Sequence, residues 1–294
     1  MASTSTKWIA GCGIGCLVII LLLAGIAGGG FLCVRGMVRN FQVLEESRNE
    51  LVDAFGSVTD YSPSSDGSID ETRIRNFVSI RRALQPYQGR LDKAFDRFSR
   101  IEEVNDRSPI RILESIRNAT SVIPAITSYI HARNTILLDH AMGIGEYIYL
   151  YMIIYHSWLG HKPDDHPDIT HIIRDINSDD ESARNFESNF DPEEIMYRYR
   201  TMAVGFLRNQ IHAVESSGLI QDPDWISALD NEVNLLSSGT HNLLWQNGLP
   251  PRMLSCLEPH RAVLEQTYST ISNVFDLFFN DFEHDTRETM TYRL

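Results

Sequence analysis

The chain opens on a long run of hydrophobic positions. No charged residue occurs from Trp8 to Val34, and the stretch Leu17–Leu23 is apolar at every position. A helix needs about 20 apolar residues to cross the hydrocarbon core of a bilayer, and helices of soluble proteins normally keep one polar face. Residues 8–34 are therefore predicted to form an uncleaved transmembrane helix after a short tail at residues 1–7.

A cleaved signal peptide is the alternative interpretation of this segment. Gly25-Ile-Ala27 has the small-x-small pattern of a cleavage site. The apolar run continues well past these residues, and this favours the uncleaved anchor.

Beyond residue 34 the apolar positions recur at helical spacing. Residues 35–60 predict a helical stalk that continues the membrane span, and residues 61–68, with Pro, Gly and Ser, are typical of a linker. Ser68-Ile-Asp-Glu71 has the pattern of a capping box that opens the next helix. A further helix is predicted to begin near Tyr87.

The remaining helix starts are marked by proline. A capping residue precedes proline at Ser108-Pro109, Asp191-Pro192 and Asp222-Pro223, an arrangement typical of the first helical turn. A C-terminal helix is predicted from Pro251 to Phe279, with a kink or restart at Pro259. Alternating strand patterns are scarce. We therefore predict an all-α fold: one N-terminal transmembrane helix, a soluble bundle of roughly seven or eight helices over residues 69–282, and a polar tail at 283–294.

Charge and cysteine usage narrow the possible partners. The net charge of −13 argues against nucleic-acid binding, because an acidic domain repels phosphate backbones. Cys256 is the one cysteine outside the apolar segment, so the soluble domain can form no internal disulfide.

The positive charges that flank the span give little indication of its orientation. They nearly balance, with Lys7 on one side and Arg35 and Arg39 on the other. A short N-terminal tail favours a cytoplasmic N-terminus and an extracytoplasmic, or periplasmic, soluble domain.

The segment at residues 132–160 is unusually apolar. Between Ala141 and Leu159, Glu146 and His156 are the ionisable side chains apart from tyrosines. A second membrane span would place Glu146 in lipid at a cost of about 2.5–3.5 kcal/mol, so a central bundle helix is favoured. On such a helix Asp139 and Glu146 share a face as buried polar candidates. Glu146 is then either a general acid, base or metal ligand, or a partner in a structural ion pair or hydrogen bond. We favour the structural role, with an arginine such as Arg117, Arg133 or Arg198 as donor.

A series of histidines follows at five-residue intervals. His156, His161, His166 and His171, together with Asp168, offer ligands that a divalent metal such as Zn²⁺ accepts. The spacing matches neither a helix nor a strand, however, and Pro163 and Pro167 indicate a loop. A solvated polar loop is therefore the favoured interpretation. No cofactor is expected unless this series binds a metal.

Two further patterns point to protein partners. Gly11/Gly15 and Gly25/Gly29 form small-xxx-small pairs that allow a second membrane helix to pack closely. Near the C-terminus a cluster of phenylalanines either packs on the bundle or forms an exposed docking patch; its members are Phe275, Phe278, Phe279 and Phe282.

These patterns favour a non-enzymatic function. Signatures such as a His-Glu-x-x-His zinc helix, a nucleophile elbow and a phosphate loop are missing from the sequence. The leading prediction is a membrane-anchored helical accessory or interaction subunit that binds other membrane subunits, or itself, through its span. The alternative is an extracytoplasmic metal- or small-ligand-binding domain, or an enzyme, centred on Glu146 and the His156–His171 loop.

Overall fold

A computed structural model describes residues 31–102, 109–165, 191–216 and 223–278. All regular structure within these ranges is helical, which confirms the predicted all-α class. The α-helices are α1 (Phe31–Phe55), α2 (Glu71–Glu102), α3 (Pro109–Asp139), α4 (Ile144–Tyr151), α5 (Pro192–Ser216), α6 (Pro223–Ser237), α7 (Pro251–Leu257), α8 (Arg261–Gln266) and α9 (Thr270–Phe278). Short 3₁₀ turns lie at Val58–Asp60 and Glu258–His260, and α4 continues as a π-helix over Met152–Trp158.

The predicted membrane span lies almost wholly outside these ranges. Residues 1–30 are not described, and α1 begins at Phe31. Among the helices that are described, none combines the length and apolar character needed to cross a membrane.

The bundle is built around α4 and its π-helical continuation. The long helices α2 and α3 pack against each other, α1 packs on α3, and α5 pairs with α6. Residues 147–156, in the middle of this arrangement, are all buried. The apolar segment singled out in the sequence is thus a central element of the bundle, as expected for a run of apolar residues without a polar face.

One helix start confirms the predicted proline rule. Helix α5 begins at Pro192, and the Asp191 carboxylate accepts a hydrogen bond from the Glu193 N–H at 2.8 Å. Pro109 and Pro223 are the first described residues of α3 and α6. Proline suits this position because the first helical N–H groups have no partner within the helix.

The predicted capping box at residues 68–71 is wrong in one respect. Helix α2 begins at Glu71, and Asp70 caps it by accepting the Thr72 N–H at 2.7 Å. The Ser68 hydroxyl instead donates to Asp66, also at 2.7 Å. Asp and Ser are both good capping residues, and here the aspartate next to the helix takes the role.

The predicted helix boundary near Tyr87 is also wrong. Helix α2 runs without interruption from Glu71 to Glu102 and contains Pro86. Leu84, Gln88 and Leu91 are buried on both sides of the exposed proline. The continued burial of one face stabilises the helix across the site where proline removes a backbone hydrogen bond.

A tight turn divides the segment that was expected to be one helix. Helix α3 ends at Asp139 and α4 begins at Ile144, with Ala141 between them at a φ of 48°. Asp139 and Glu146 therefore do not share a helix face. Asp139 is exposed, whereas Glu146 lies at the start of α4 and is partly buried.

Residues 61–68 pack closely against the bundle. The Asn209 side chain donates to the carbonyls of Thr59 and Tyr61 at 2.8 and 2.9 Å, and the Trp225 indole donates to the carbonyl of Ser65 at 3.0 Å. Gly67 has a φ of 71°, and a Cβ built there would lie 2.3 Å from the Trp225 ring. The predicted linker is thus a strap held by α5 and α6.

Candidate functional site

The most unusual chemical feature of the interior is a buried ion pair. Arg81 Nη1 of α2 lies 2.7 Å from Asp276 Oδ2 of α9, and both side chains are 0% exposed. Fully buried charges are rare unless they are paired and their remaining hydrogen-bonding positions are filled. Both groups therefore require further partners in the interior.

Hydroxyl groups complete the environment of the Asp276 carboxylate. Oδ1 accepts hydrogen bonds from the Tyr129 and Tyr147 hydroxyls at 2.6 and 2.9 Å. Oδ2 accepts from Ser272 at 3.0 Å in addition to Arg81. With four donors around its two oxygens, Asp276 has its hydrogen-bonding capacity filled as an ionised carboxylate.

The Arg81 guanidinium is also enclosed, with bonds from Nη1 and Nη2, while its Nε atom is buried without a hydrogen-bond partner. Nη1 also donates to the Tyr147 hydroxyl at 2.7 Å, and Nη2 donates to the carbonyl of Thr267 at 2.9 Å. Its Cζ atom lies 5.0 Å from the ring centre of Tyr151 and 5.2 Å from that of Tyr155. Aromatic faces attract a cation at such distances. We call Arg81, Asp276, Tyr129, Tyr147, Tyr151 and Tyr155 the tyrosine cluster.

Burial fixes the protonation states in this cluster. It is the largest cause of the raised pKa values of Tyr129 and Tyr147, and the Asp276 charge raises both further. Burial alone would lower the pKa of Arg81, but the nearby Tyr147 and Asp276 raise it well above its usual value. The tyrosines therefore remain neutral donors and Arg81 remains a cation at physiological pH.

A second buried arginine links the cluster to α1. Arg133 Nη1 donates to the carbonyl of Phe275 at 2.7 Å, and its Nη2 donates to Asn134 Oδ1 at 3.2 Å. The Asn134 amide in turn donates to Ser47 Oγ at 3.5 Å. These bonds form a polar path from α1 through α3 to α9, next to the residue that carries the cluster's negative charge.

Glu146 forms the ion pair that the sequence favoured, although with a different arginine. Its carboxylate accepts from both Nε and Nη2 of Arg73, and Nη2 also donates to the carbonyl of Ala141 at 3.0 Å. A fork of this kind is the strongest geometry for an arginine–carboxylate pair. Glu146 thereby ties α4 to α2 and to the strained turn at Ala141.

The histidine series is described in part. His156 is buried and its Nδ1 lies 2.9 Å from the carbonyl oxygen of His161. The His161 ring stacks on Tyr268 with ring centres 3.7 Å apart. His166, Asp168 and His171 lie outside the described residues. Within the described ranges, no group of three or more His, Cys, Asp or Glu side chains is arranged to hold a metal ion.

The remaining predicted site residues lie either in the core or outside the described residues. Phe275 and Phe278 are buried in the core, with Phe275 packed 6.3 Å from the ring of Phe95. Phe279 and Phe282 lie outside the described residues, as do the four membrane-packing glycines Gly11, Gly15, Gly25 and Gly29.

Comparison with protein-family models, with curated proteins and with solved structures finds no match to this chain. Its function must therefore be inferred from the residues themselves. In the tyrosine cluster four internal donors fill the Asp276 carboxylate, and Arg81 is held by Asp276, Tyr147 and the carbonyl of Thr267. Such a network is suited to fixing one arrangement of helices.

Arg81 and Asp276 were not predicted from the sequence as site residues. A signal was present, because Arg81 follows Phe77 and precedes Leu84 and Gln88 on a stripe that is otherwise buried. An arginine in a buried stripe predicts a buried partner. Its identity could not be predicted, since Asp276 lies 195 residues further along the chain.

Proposed function

We propose that the chain is a membrane-anchored helical interaction subunit of a larger membrane assembly, with residues 8–34 as its span and its soluble domain extracytoplasmic. The observation that carries the proposal is the uncharged run from Trp8 to Val34, which leads directly into α1. A run of this length is sufficient to cross a bilayer.

The continuity of α1 supports a rigid connection between such a span and the bundle. The helix passes the predicted boundary at residue 34 without a break and continues to Phe55. Its later residues Leu44 and Leu51 are buried, and Ser47 is hydrogen-bonded to Asn134 of α3. A movement or rotation of the span would therefore be transmitted to the helices that carry the tyrosine cluster.

The internal pairing of two carboxylates supports a structural role for the soluble domain. Asp276 and Glu146 are both occupied by arginines, Arg81 and Arg73. A general acid or base needs contact with a reacting group, and these carboxylates are already committed to internal donors. The Glu146 half of the metal- or ligand-binding alternative has less support for the same reason. Its other half, the His156–His171 loop, lies outside the described residues beyond residue 165.

The proposal is tested on the full chain in native membranes. We expect the protein to stay in the pellet after extraction at high pH, and to be recovered with partner subunits or as a homo-oligomer after mild detergent extraction. Substituting both Gly11 and Gly15 with isoleucine should reduce the recovered partner at least several-fold, because the added side chains prevent close helix packing. Gly13→Ile, on the opposite face of the span, is the matched control.

Two outcomes would contradict the proposal. A chain that is released from membranes at high pH has no spanning anchor. A chain that emerges from detergent alone and monomeric, with the glycine variants behaving like the control, has no lateral partner. The side of the membrane is tested separately by labelling Glu215→Cys, an exposed position of α5, with an impermeant maleimide in intact cells.

A further inference from the structure

The end of the central element has an uncommon winding. Residues Met152–Trp158 form a π-helix, and the Leu159 N–H donates to the carbonyl of Ile154 at 3.0 Å. Gly160, with a φ of 76°, then reverses the chain, and the His161 N–H donates to the carbonyl of Tyr155 at 2.9 Å. π-helical segments account for well under about 1% of residues and are frequent at functional sites.

The geometry around His156 fixes its tautomer. Its Nδ1 atom lies 2.9 Å from the carbonyl oxygen of His161, and a carbonyl can only accept. Nδ1 therefore carries the proton, and Nε2 of the neutral ring is an unprotonated acceptor. Nε2 is buried and has no hydrogen-bond partner. A proton added there would become a buried donor without an acceptor, which is unfavourable.

The loop that His156 holds makes two further contacts with the bundle. The His161 ring is stacked on Tyr268 with an angle of 7° between the planes. The Asn273 amide of α9 donates to the carbonyls of Pro163, Lys162 and Asp165, at 2.9, 3.2 and 3.2 Å. Residues 159–165 are therefore attached to the bundle through His156, His161 and Asn273. The two histidines are ionisable.

Different ionisable groups act on the His156 ring and on the His161 ring. The His156 ring contacts Tyr151 on its own segment and the edge of Tyr199 on α5, and the ionisable group that acts on it most directly is His161. Carboxylates act on His161 instead. These carboxylates are Asp165 and Glu265. The Tyr155 and Tyr268 rings contact the His161 ring. Further out, Glu232 acts on Tyr199 and Arg261 lies over the Trp158 ring.

We propose that His156 and His161 form an acid-sensitive clasp, in which protonation of His156 at Nε2 releases residues 159–165 from the bundle. In the closed state the proton has no acceptor and the new charge lies beside His161. In the open state water solvates the imidazolium. The neutral ring is needed for closure, because the ring must keep its donor toward the His161 carbonyl while Nε2 remains in an apolar environment.

Burial is the main cause of a lowered pKa for His156, to about 4 from the ordinary 6.5, and burial also lowers the pKa of His161. A histidine whose pKa is lower in the closed state than in the open state stabilises the closed state above pH 6.5. That stabilisation is lost as the pH falls from 6.5 towards 4. Asp165 and Glu265 act in the opposite direction and raise the pKa of His161. They therefore reduce the part of this stabilisation that depends on His161.

Hydrogen–deuterium exchange of the full chain in detergent, corrected for intrinsic rates, tests the clasp. Between pH 7.5 and pH 5.0 we expect the exchange of residues 157–165 to rise roughly ten- to thirty-fold. Exchange in α6 should change little. His156→Gln cannot be protonated, and its amide can still donate to the His161 carbonyl, so it should remove most of the pH dependence and leave only the part that comes from His161. His212→Gln, at an exposed position of α5, is the matched control and should leave the pH dependence intact.

The clasp is overturned if wild-type exchange in residues 157–165 is the same at both pH values, or if His156→Gln retains the full dependence. If His156→Gln does not fold, the ring ¹⁵N chemical shifts of wild-type His156 decide. An Nδ1-protonated neutral ring that persists to below pH 5 supports the clasp, and titration near pH 6.5 contradicts it. These measurements do not depend on the membrane anchor, so they can fail while the proposed function stands.

Discussion

Arg81 and Asp276, 195 positions apart in sequence, meet at 2.7 Å in the interior of the bundle. The pair connects α2 to α9, and Tyr129 and Tyr147 connect it to α3 and α4. Four helices therefore share one charged centre. A buried ion pair adds little to stability compared with a well-packed apolar core, but it strongly disfavours arrangements in which the partners separate.

Removing either member of the pair should strongly destabilise the bundle. Asp276→Ala leaves the Arg81 charge buried without its partner, and we expect it to lower the free energy of unfolding by about 3–5 kcal/mol. Arg81→Met should have an effect of similar size. Chemical denaturation followed by circular dichroism measures both.

The double variant Arg81→Met/Asp276→Leu provides the decisive comparison. It replaces both charges by apolar side chains, and we expect its loss of stability to be smaller than the sum of the two single losses. Additive losses would show that the two side chains contribute independently, contrary to the geometry described above.

The tyrosine hydroxyls make a separate contribution. Tyr129→Phe and Tyr147→Phe each remove one donor from the Asp276 carboxylate while keeping the ring, and hydrogen bonds to charged groups are worth about 1.5–3 kcal/mol. We expect thermal unfolding to begin at a lower temperature in both variants. Tyr197→Phe is the control, because the Tyr197 side chain is 59% exposed. Equal behaviour of all three variants would argue against the assigned hydrogen bonds.

The all-α class and the start of α5 could be predicted because they depend on local chemistry. Proline after a capping residue marked this start at Pro192. Tertiary packing explains the errors. Helix α2 continues through Pro86 because its buried face continues, and α3 ends at Asp139 although the residues after it are strongly apolar.

The polar contacts were less predictable than the helices. The sequence indicated that Glu146 pairs with an arginine, because a buried carboxylate needs a cation. The candidates suggested for this arginine were Arg117, Arg133 and Arg198, and none of them is the partner. The actual partner, Arg73, comes from α2. Helical spacing assigns residues to a face, and it does not define which faces meet. Arg81 and Asp276 were missed for this reason.

The Arg73–Glu146 pair should contribute less than the buried pair. Their side chains are 28% and 15% exposed, so solvent screens the interaction. Glu146→Gln keeps an acceptor for Arg73 and should reduce the free energy of unfolding by roughly 1 kcal/mol. Glu215→Gln on the exposed face of α5 is the control. A loss as large as that of Asp276→Ala would contradict this ranking of the two pairs.

Gly145 and Gly205 offer a matched test of how closely residues 58–61 approach α4. A Cβ built at Gly145 would lie 2.5 Å from Tyr61 Cβ and 2.8 Å from the carbonyl oxygen of Val58, whereas one built at Gly205 meets nothing within 4 Å. Gly145→Ala must displace the chain around Val58 and Tyr61, and we expect a loss of about 1–3 kcal/mol in chemical denaturation. Gly205→Ala, inside α5, should instead gain about 0.5–1 kcal/mol from helix propensity. If both variants gained stability, residues 58–61 would not lie this close to α4. That result would also contradict the contact between the Tyr61 and Tyr149 rings.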